Sequence, residues 1–198
     1  MKPALALDLD DILFPLMDLL VPFFNAHYEQ SWTLEDFHSF EFEDIVGSTR
    51  EDMLALLRRF VHEIEGHPEP VEGSLAALSR LADEFRLYVV TSREDSMRER
   101  TLAWVEHHFA GHFEDVFLCN SYVTDRPVVA RRKVDVCREV GAVALVDDSL
   151  ANVTDVAGAG MRGILFGDFA WNRTATLPTG VVRVAGWDDV VAELLEGP

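Results

Sequence analysis

The strongest constraint on the fold is a pattern that recurs along the chain. A short apolar run ends in polar side chains, and enough residues for a helix follow. Leu5-Ala6-Leu7 runs into Asp8-Leu9-Asp10, Leu87-Tyr88-Val89-Val90 into Thr91-Ser92-Arg93, and Ala142-Val143-Ala144-Leu145-Val146 into Asp147-Asp148. Continuous apolar runs of this length are characteristic of strands buried on both faces of a parallel sheet. In open α/β sheets the carboxyl ends of the strands gather into one crevice, where ligands bind. The pattern therefore predicts an α/β fold whose sheet edge brings the two acidic pairs and Thr91 together.

Residues 11–86 separate the first two runs, although a crossover needs little more than a dozen residues. Something is inserted there. An aromatic-rich stretch spans Pro15 to Gln30, and Thr33-Leu34-Glu35-Asp36 reads as a helix start. Ser48-Thr49-Arg50-Glu51 reads as a capping box before Met53, Leu57, Phe60, Val61 and Ile64, which recur at helical spacing and stop near Gly66-His67-Pro68. The expectation is a small helical cap over residues 14–72, inserted between core segments 1–13 and 73–198. The core is then expected to continue with a helix from Leu75 to Phe85, its Leu75, Leu78 and Leu81 facing the sheet. Helices at 96–109, 133–140, 150–159 and 187–195 and strands at 116–119, 163–166 and 181–184 complete the pattern.

The formal charge of −18 opposes binding to nucleic-acid polymers or anionic membranes, because the long-range term is repulsive. An anionic substrate must then be held by local groups. Two cysteines, Cys119 and Cys137, are too few for a disulfide scaffold and suit a cytoplasmic protein. The apolar run after Met1-Lys2-Pro3 reaches an aspartate too soon for a signal peptide, and no stretch approaches the roughly 18 apolar residues of a membrane span.

Two carboxylates as close as Asp8 and Asp10 repel unless a cation lies between them or one holds a proton, so the pair predicts a divalent metal or a shifted pKa. Plainer readings exist for each piece. An Asp-x-Asp can be a solvated turn, Thr91 an ordinary strand end, Asp147-Asp148-Ser149 a helix cap, and Arg126, Arg131, Arg132 and Lys133 a basic helix start. The order of the pieces is more specific than any one of them.

That order, in LALDLDDIL, VVTSR, Lys133 and LVDDS, resembles the haloacid dehalogenase superfamily of phosphohydrolases over essentially the whole chain. The segments TLEDFHSF, TLAWVEHHF, DVCREVGAVALVDDSLANV and GILFGDFAWNR look most like its 5′-nucleotidase branch, related to the deoxyribonucleotidases. The resemblance implies a Rossmann-like parallel sheet with helices on both faces and a cap after the first strand. It implies a Mg²⁺-dependent phosphomonoester hydrolase acting on a small phosphorylated metabolite. Asp8 would be the nucleophile and Asp10 the general acid and base. Asp8, the Asp10 carbonyl and Asp148 would hold the metal, with Asp147 behind them. Thr91, with Ser92 and Arg93 beside it, and Lys133 would bind the phosphate. Asp11 stands where many members carry Gly and is expected to be solvated or hydrogen-bonded locally.

Among the cap's aromatics, Phe14, Trp32 and Phe40 are candidates for the substrate pocket. Well-understood nucleotidases place an aromatic at the position that here is Leu16. The expected substrate is a (deoxy)nucleoside monophosphate. The alternatives are another small phosphate ester, or a phospho-ligand bound without turnover. A phosphorylation-dependent receiver module fits poorly, since its acceptor aspartate follows the third strand and no acidic pair follows its lysine.

Overall fold

The computed structural model describes residues 2–64, 66–121 and 129–196. Its strands are β1 (Ala4–Leu7), β2 (Arg86–Thr91), β3 (Phe113–Leu118), β4 (Ala142–Asp147), β5 (Arg162–Phe166) and β6 (Val181–Val184). They form one six-stranded sheet in the order β3-β2-β1-β4-β5-β6, with every neighbouring pair parallel. β1 lies between β2 and β4, and Leu7 stands in register with Val89 on one side and Val146 on the other. Strand order thus brings the ends of the three polar-terminated runs together.

The helices are α1 (Leu16–Tyr28), α2 (Phe42–Val46), α3 (Arg50–Glu63), α4 (Ser74–Leu81), α5 (Arg98–Phe109), α6 (Lys133–Val140), α7 (Leu150–Gly158) and α8 (Trp187–Leu195). Alternation along β1 sorts the core ones to the two faces of the sheet. Leu5 and Leu7 join the cluster containing Leu78 of α4, Trp104 of α5 and Val190 of α8. Ala4 and Ala6 join the opposite cluster, with Val136 and Cys137 of α6 and Val156 of α7. No helix among the described residues is long and apolar enough to cross a membrane.

Between β1 and β2, α1, α2 and α3 gather around a cluster of their own, in which Met17, Leu20, Phe24, Phe37, Met53, Leu56 and Phe60 are buried. Leu16, Leu19 and Ile64 touch both this cluster and the sheet's core. Where the chain leaves and re-enters the core, Val71 N donates to the Leu13 carbonyl at 2.8 Å.

Several local expectations shift. Leu75 is exposed, and α4 turns Ser74, Ala77, Leu78 and Leu81 inward instead. The helix begins at Ser74, so its buried stripe follows positions 74, 77, 78 and 81. The cap of α3 is Thr49 rather than Ser48. Its Oγ1 accepts from Asp52 N at 3.1 Å and donates to the Asp52 carboxylate at 2.8 Å, and Leu56 is buried where Leu57 is only partly so. Residues 34–36 make a single 3₁₀ turn, and another at 95–97 precedes α5. β3 begins at Phe113, three residues earlier than its apolar run suggests, because this strand lies at the sheet's edge and carries exposed Glu114 and Asp115.

β5 meets α7 closely at Gly163. A Cβ there would lie 2.5 Å from the Val153 carbonyl oxygen, which is backbone and does not swing aside. Gly163→Ala is expected to destabilise the fold by about 1–3 kcal/mol, the usual cost of overpacking. Urea unfolding measures it, and an unchanged midpoint would contradict the packing described.

Candidate active site

Asp8 directly follows β1, and its backbone N–H donates to Val146 O of β4 at 2.9 Å. The chain then turns sharply. The amides of Leu13 and Phe14 both donate to the Leu9 carbonyl at 2.8 Å, and Asp11 N donates to Phe14 O at 2.7 Å. Asp11 sits at φ 59°, a left-handed conformation that Gly adopts freely and Asp tolerates. Its Oδ1 accepts from Met17 N at 2.8 Å, so it serves the first turn of α1, where Pro15 provides no side-chain cap. Burial pushes the Asp11 pKa well above the usual carboxylate value, against the lowering effect of that hydrogen bond.

Asp8, Asp147 and Asp148 are all buried and offer carboxylate oxygens within 4.8 Å of one another. Lys133, the first residue of α6, is also buried and places Nζ 2.7 Å from Asp8 Oδ1 and 2.7 Å from Asp147 Oδ2. Burial alone would lower the lysine's pKa, but Asp147 and Asp8 override it and hold the pKa above the ordinary value. For Asp8 the balance goes the other way. Burial, reinforced by Asp147 and Asp10, outweighs Lys133 and lifts its pKa to about 7. Asp148 is also raised well above the usual range, by burial and then by Asp147 and Asp8. One ammonium faces three carboxylates, so a cation is the natural complement to the set.

Asp147 is braced by Ser149 N at 2.8 Å and by Asn152 Nδ2 at 3.2 Å. Asp148 accepts at Oδ2 from Trp171 Nε1 at 2.7 Å, and its carbonyl accepts from Asn172 Nδ2 at 3.0 Å. Sequence reasoning missed both partners. The available signal was that they follow β5, whose carboxyl end opens on the same sheet edge.

Thr91 ends β2 fully buried, and its Oγ1 accepts from Arg93 N at 3.2 Å. Ser92 is partly buried in the next position, and its carbonyl accepts from Ser121 N at 3.1 Å. Arg93 stands otherwise than as a free phosphate-binding group. Its Nη2 and Nε donate to Asp10 Oδ1 and Oδ2 at 2.7 and 3.1 Å, and its Nη1 donates to Thr101 Oγ1 at 3.1 Å. Its guanidinium also lies 4.6 Å from the centre of the Phe14 ring. Phe14 is thus buried beneath the arginine, edge-on to Trp104 at 5.1 Å. Arg131 and Arg132 are engaged by Glu139 and Asp135, and Arg126 lies outside the described residues.

A cavity of about 340 Å³ opens beside Arg93 and Phe14, bounded also by Leu16, Phe60, Ile64, Met97 and Trp104. Of the three aromatics expected around a substrate, Phe14 lines this cavity. Trp32 instead packs among the inserted helices, 5.8 Å from Tyr28 and 6.2 Å from Phe37, with its backbone held by Asn25. Phe40 lies 5.9 Å from Trp171, on the side of Asp148. Phe60, in the repeating apolar stripe of α3, is the second inserted aromatic that reaches the cavity.

A parallel sheet that gathers Asp8, Thr91, Lys133 and an acidic pair at one edge defines a phosphohydrolase of the haloacid dehalogenase superfamily. The chain belongs to the family described as 5′ nucleotidase, deoxy (pyrimidine), cytosolic type C protein, whose sequence model matches residues 2–196. It is accordingly a phosphomonoester hydrolase of the nucleotidase branch. Among curated proteins it is similar to "Putative nucleotidase BH1399" of Halalkalibacterium halodurans, at 22% identity over 172 residues, covering 87% of this chain and 83% of that protein. Among solved structures, a "predicted phosphatase from Clostridium acetobutylicum" superposes with a TM-score of 0.70 at 16% identity, covering 99% of each chain. The haloacid dehalogenase-like family protein SP0104 of Streptococcus pneumoniae superposes with a TM-score of 0.65 at 12% identity, covering 98% of each. At these identities the structures speak for the fold.

Proposed function

We propose that the chain is a Mg²⁺-dependent, cytoplasmic 5′-nucleotidase in which Asp8 is the nucleophile. The observation that carries the reading is the buried trio Asp8, Asp147 and Asp148 with Lys133 between two of its members. The donor set fits Mg²⁺: hard carboxylate oxygens, close enough to share one ion, on side chains whose mutual repulsion the ion relieves. Asp8, the Asp10 carbonyl and Asp148 would hold it, with Asp147 supporting through Lys133. When bound, the ion supplies charge stabilisation at the phosphoryl oxygens.

The protein's own groups account for the rest. Asp8 attacks phosphorus in line, an acyl-phosphate bond forms between its carboxylate oxygen and phosphorus, and the bond to the leaving oxygen breaks as that oxygen takes a proton from Asp10. Water then attacks the same phosphorus, gives its proton to Asp10, and releases phosphate and the free Asp8 carboxylate. The Thr91 hydroxyl, which accepts from Arg93 N, keeps its own hydrogen for a phosphoryl oxygen. Lys133 balances charge on nucleophile and phosphate. Arg93 fixes the Asp10 side chain rather than binding the phosphate itself.

Residues 14–72 form the cap in this reading, and the cavity at Phe14, Leu16 and Phe60 receives the nucleoside. Buried, unpaired Cys119 and Cys137 suit a reducing compartment.

A phosphate-release screen tests the reading. Chelation is expected to abolish turnover and Mg²⁺ to restore it. A nucleoside 5′-monophosphate is expected to exceed ribose 5-phosphate in kcat/KM by the worth of one base–aromatic stack, about 1–3 kcal/mol, with most of the gain lost in Phe60→Leu. Equal efficiency on both esters would favour a phosphatase of another small metabolite, and turnover that survives metal removal would refute the metal site.

A further inference from the structure

The loop after β5 joins the inserted helices to the carboxylate cluster. Trp171 Nε1 donates to Asp148 Oδ2 at 2.7 Å, and the next residue, Asn172, is fully buried and grips the Asp148 carbonyl at 3.0 Å. Asn172 also donates to Phe166 O at 3.0 Å, while its Oδ1 and its carbonyl accept from Arg183 of β6 at 2.8 and 2.7 Å. Asp148 is therefore held at side chain and backbone by two consecutive residues, themselves braced to the neighbouring strand. The same indole stacks on Phe169, with ring centres 4.5 Å apart and planes 8° off parallel, and it carries Phe40 of the insertion at 5.9 Å. One residue further, Arg173 forms a two-point ion pair with Glu35, also of the insertion, at 2.6 and 2.9 Å.

We propose that Trp171 is a positioning residue for Asp148 and makes the cluster's affinity for a divalent cation depend on the seating of the inserted helices. This rests on the reading of the cluster as a Mg²⁺ site. A carboxylate free to rotate loses torsional freedom when it captures an ion, and a partner that has already fixed it removes that cost. The indole N–H suits the task because it is neutral. It orients Asp148 without competing for the site, as the Lys133 ammonium would. Phe40, 40% exposed, rests on this indole, so lifting the insertion releases one support of the hydrogen bond. By linkage, a cation that binds more tightly when the insertion is seated also seats the insertion by the same factor.

Mg²⁺ titration calorimetry on the metal-stripped full chain, without substrate, tests this with wild type, Trp171→Phe, Phe40→Ala and the double variant. Trp171→Phe keeps an aromatic ring while removing the donor, and is expected to weaken Mg²⁺ binding about 10- to 100-fold, the usual cost of losing a ligand's hydrogen-bond partner. Phe40→Ala should weaken it by a smaller factor, about threefold, and add nothing in the double variant, because Phe40 acts through the indole. Mg²⁺ should also change the tryptophan fluorescence of wild type, and most of that change should be absent from Trp171→Phe. Phe40 is a surface residue, so Phe40→Ala decides the coupling to the insertion even if Trp171→Phe fails to fold. Wild-type Mg²⁺ affinity in Trp171→Phe overturns the positioning role. Independent, additive effects of Phe40 and Trp171, or no effect of Phe40→Ala, overturn the coupling to the insertion. Absence of Mg²⁺ binding in wild type would instead refute the metal reading on which both stand.

Discussion

With Asp8 as the proposed nucleophile, Asp8→Asn is expected to lower kcat by roughly 10⁴-fold or more while the folded structure persists, since a covalent step disappears and other groups cannot replace it. The amide is nearly isosteric and can still accept from Leu9 N, which donates to Asp8 Oδ1 at 2.7 Å, and from Lys133 Nζ at the same distance. Hydrogen bonding around the position therefore survives. One buried carboxylate fewer should leave metal-free stability equal to wild type or above it. Activity should fall evenly across esters with good and poor leaving groups, because the attacking atom is lost in every case. Asp10→Asn should spare esters of acidic leaving groups, which need little help in departing, and slow the others by about 10²–10⁴-fold. Mass measurement of a trapped phosphoryl group locates the nucleophile. A phosphoryl group found on any other residue would remove Asp8 from the role.

Lys133→Met should produce the largest loss of stability. The ammonium contacts both Asp8 and Asp147 at 2.7 Å, and taking away one partner of a buried ion pair costs about 3–5 kcal/mol. The loss should depend on pH, and its sign follows from the neighbours. Asp8 titrates near 7 in the folded protein, above its usual value, and removing the lysine lifts it further. A carboxylate with a raised folded pKa loses stability from its unfolded pKa upward until pH passes the folded one, so the variant goes on losing stability above the pH at which wild type stops. The gap between wild type and Lys133→Met in urea, with chelator present, should widen from pH 5 to pH 8. Equal gaps at the two pH values would mean that Lys133 matters through packing and not through charge.

The continuous apolar runs of β1, β2 and β4 were readable because strands covered on both faces leave no polar interruption until they reach the edge. The meeting of Asp8, Thr91, Lys133 and Asp147-Asp148 was readable for a related reason. Parallel connections return every strand in the same direction, so polar strand ends must share an edge, whatever the order within the sheet. Side-chain partnerships across that edge were less accessible. Nothing local to Arg93 shows that its guanidinium meets Asp10, 83 positions away. Trp171 resembled any apolar aromatic near a strand, and its role depends on an N–H that meets Asp148 across a 23-residue separation. That Trp32 packs among the inserted rings while Phe60 also reaches the cavity was hidden for the same reason. Composition marks an aromatic-rich segment but does not say which ring turns inward, and only the spacing 53, 56, 60 along α3 puts Phe60 on the packed face.

The narrow neck at Leu13 and Val71 carries a further implication. The inserted segment leaves and rejoins the core at two points drawn together by a hydrogen bond, and its rings pack mostly against one another. Such a segment can be lengthened, trimmed or exchanged in evolution without disturbing the register of β1 against β2. On the proposed reading, in which the inserted segment receives the substrate, a change in that segment would alter preference while leaving the carboxylates at the sheet edge as they are.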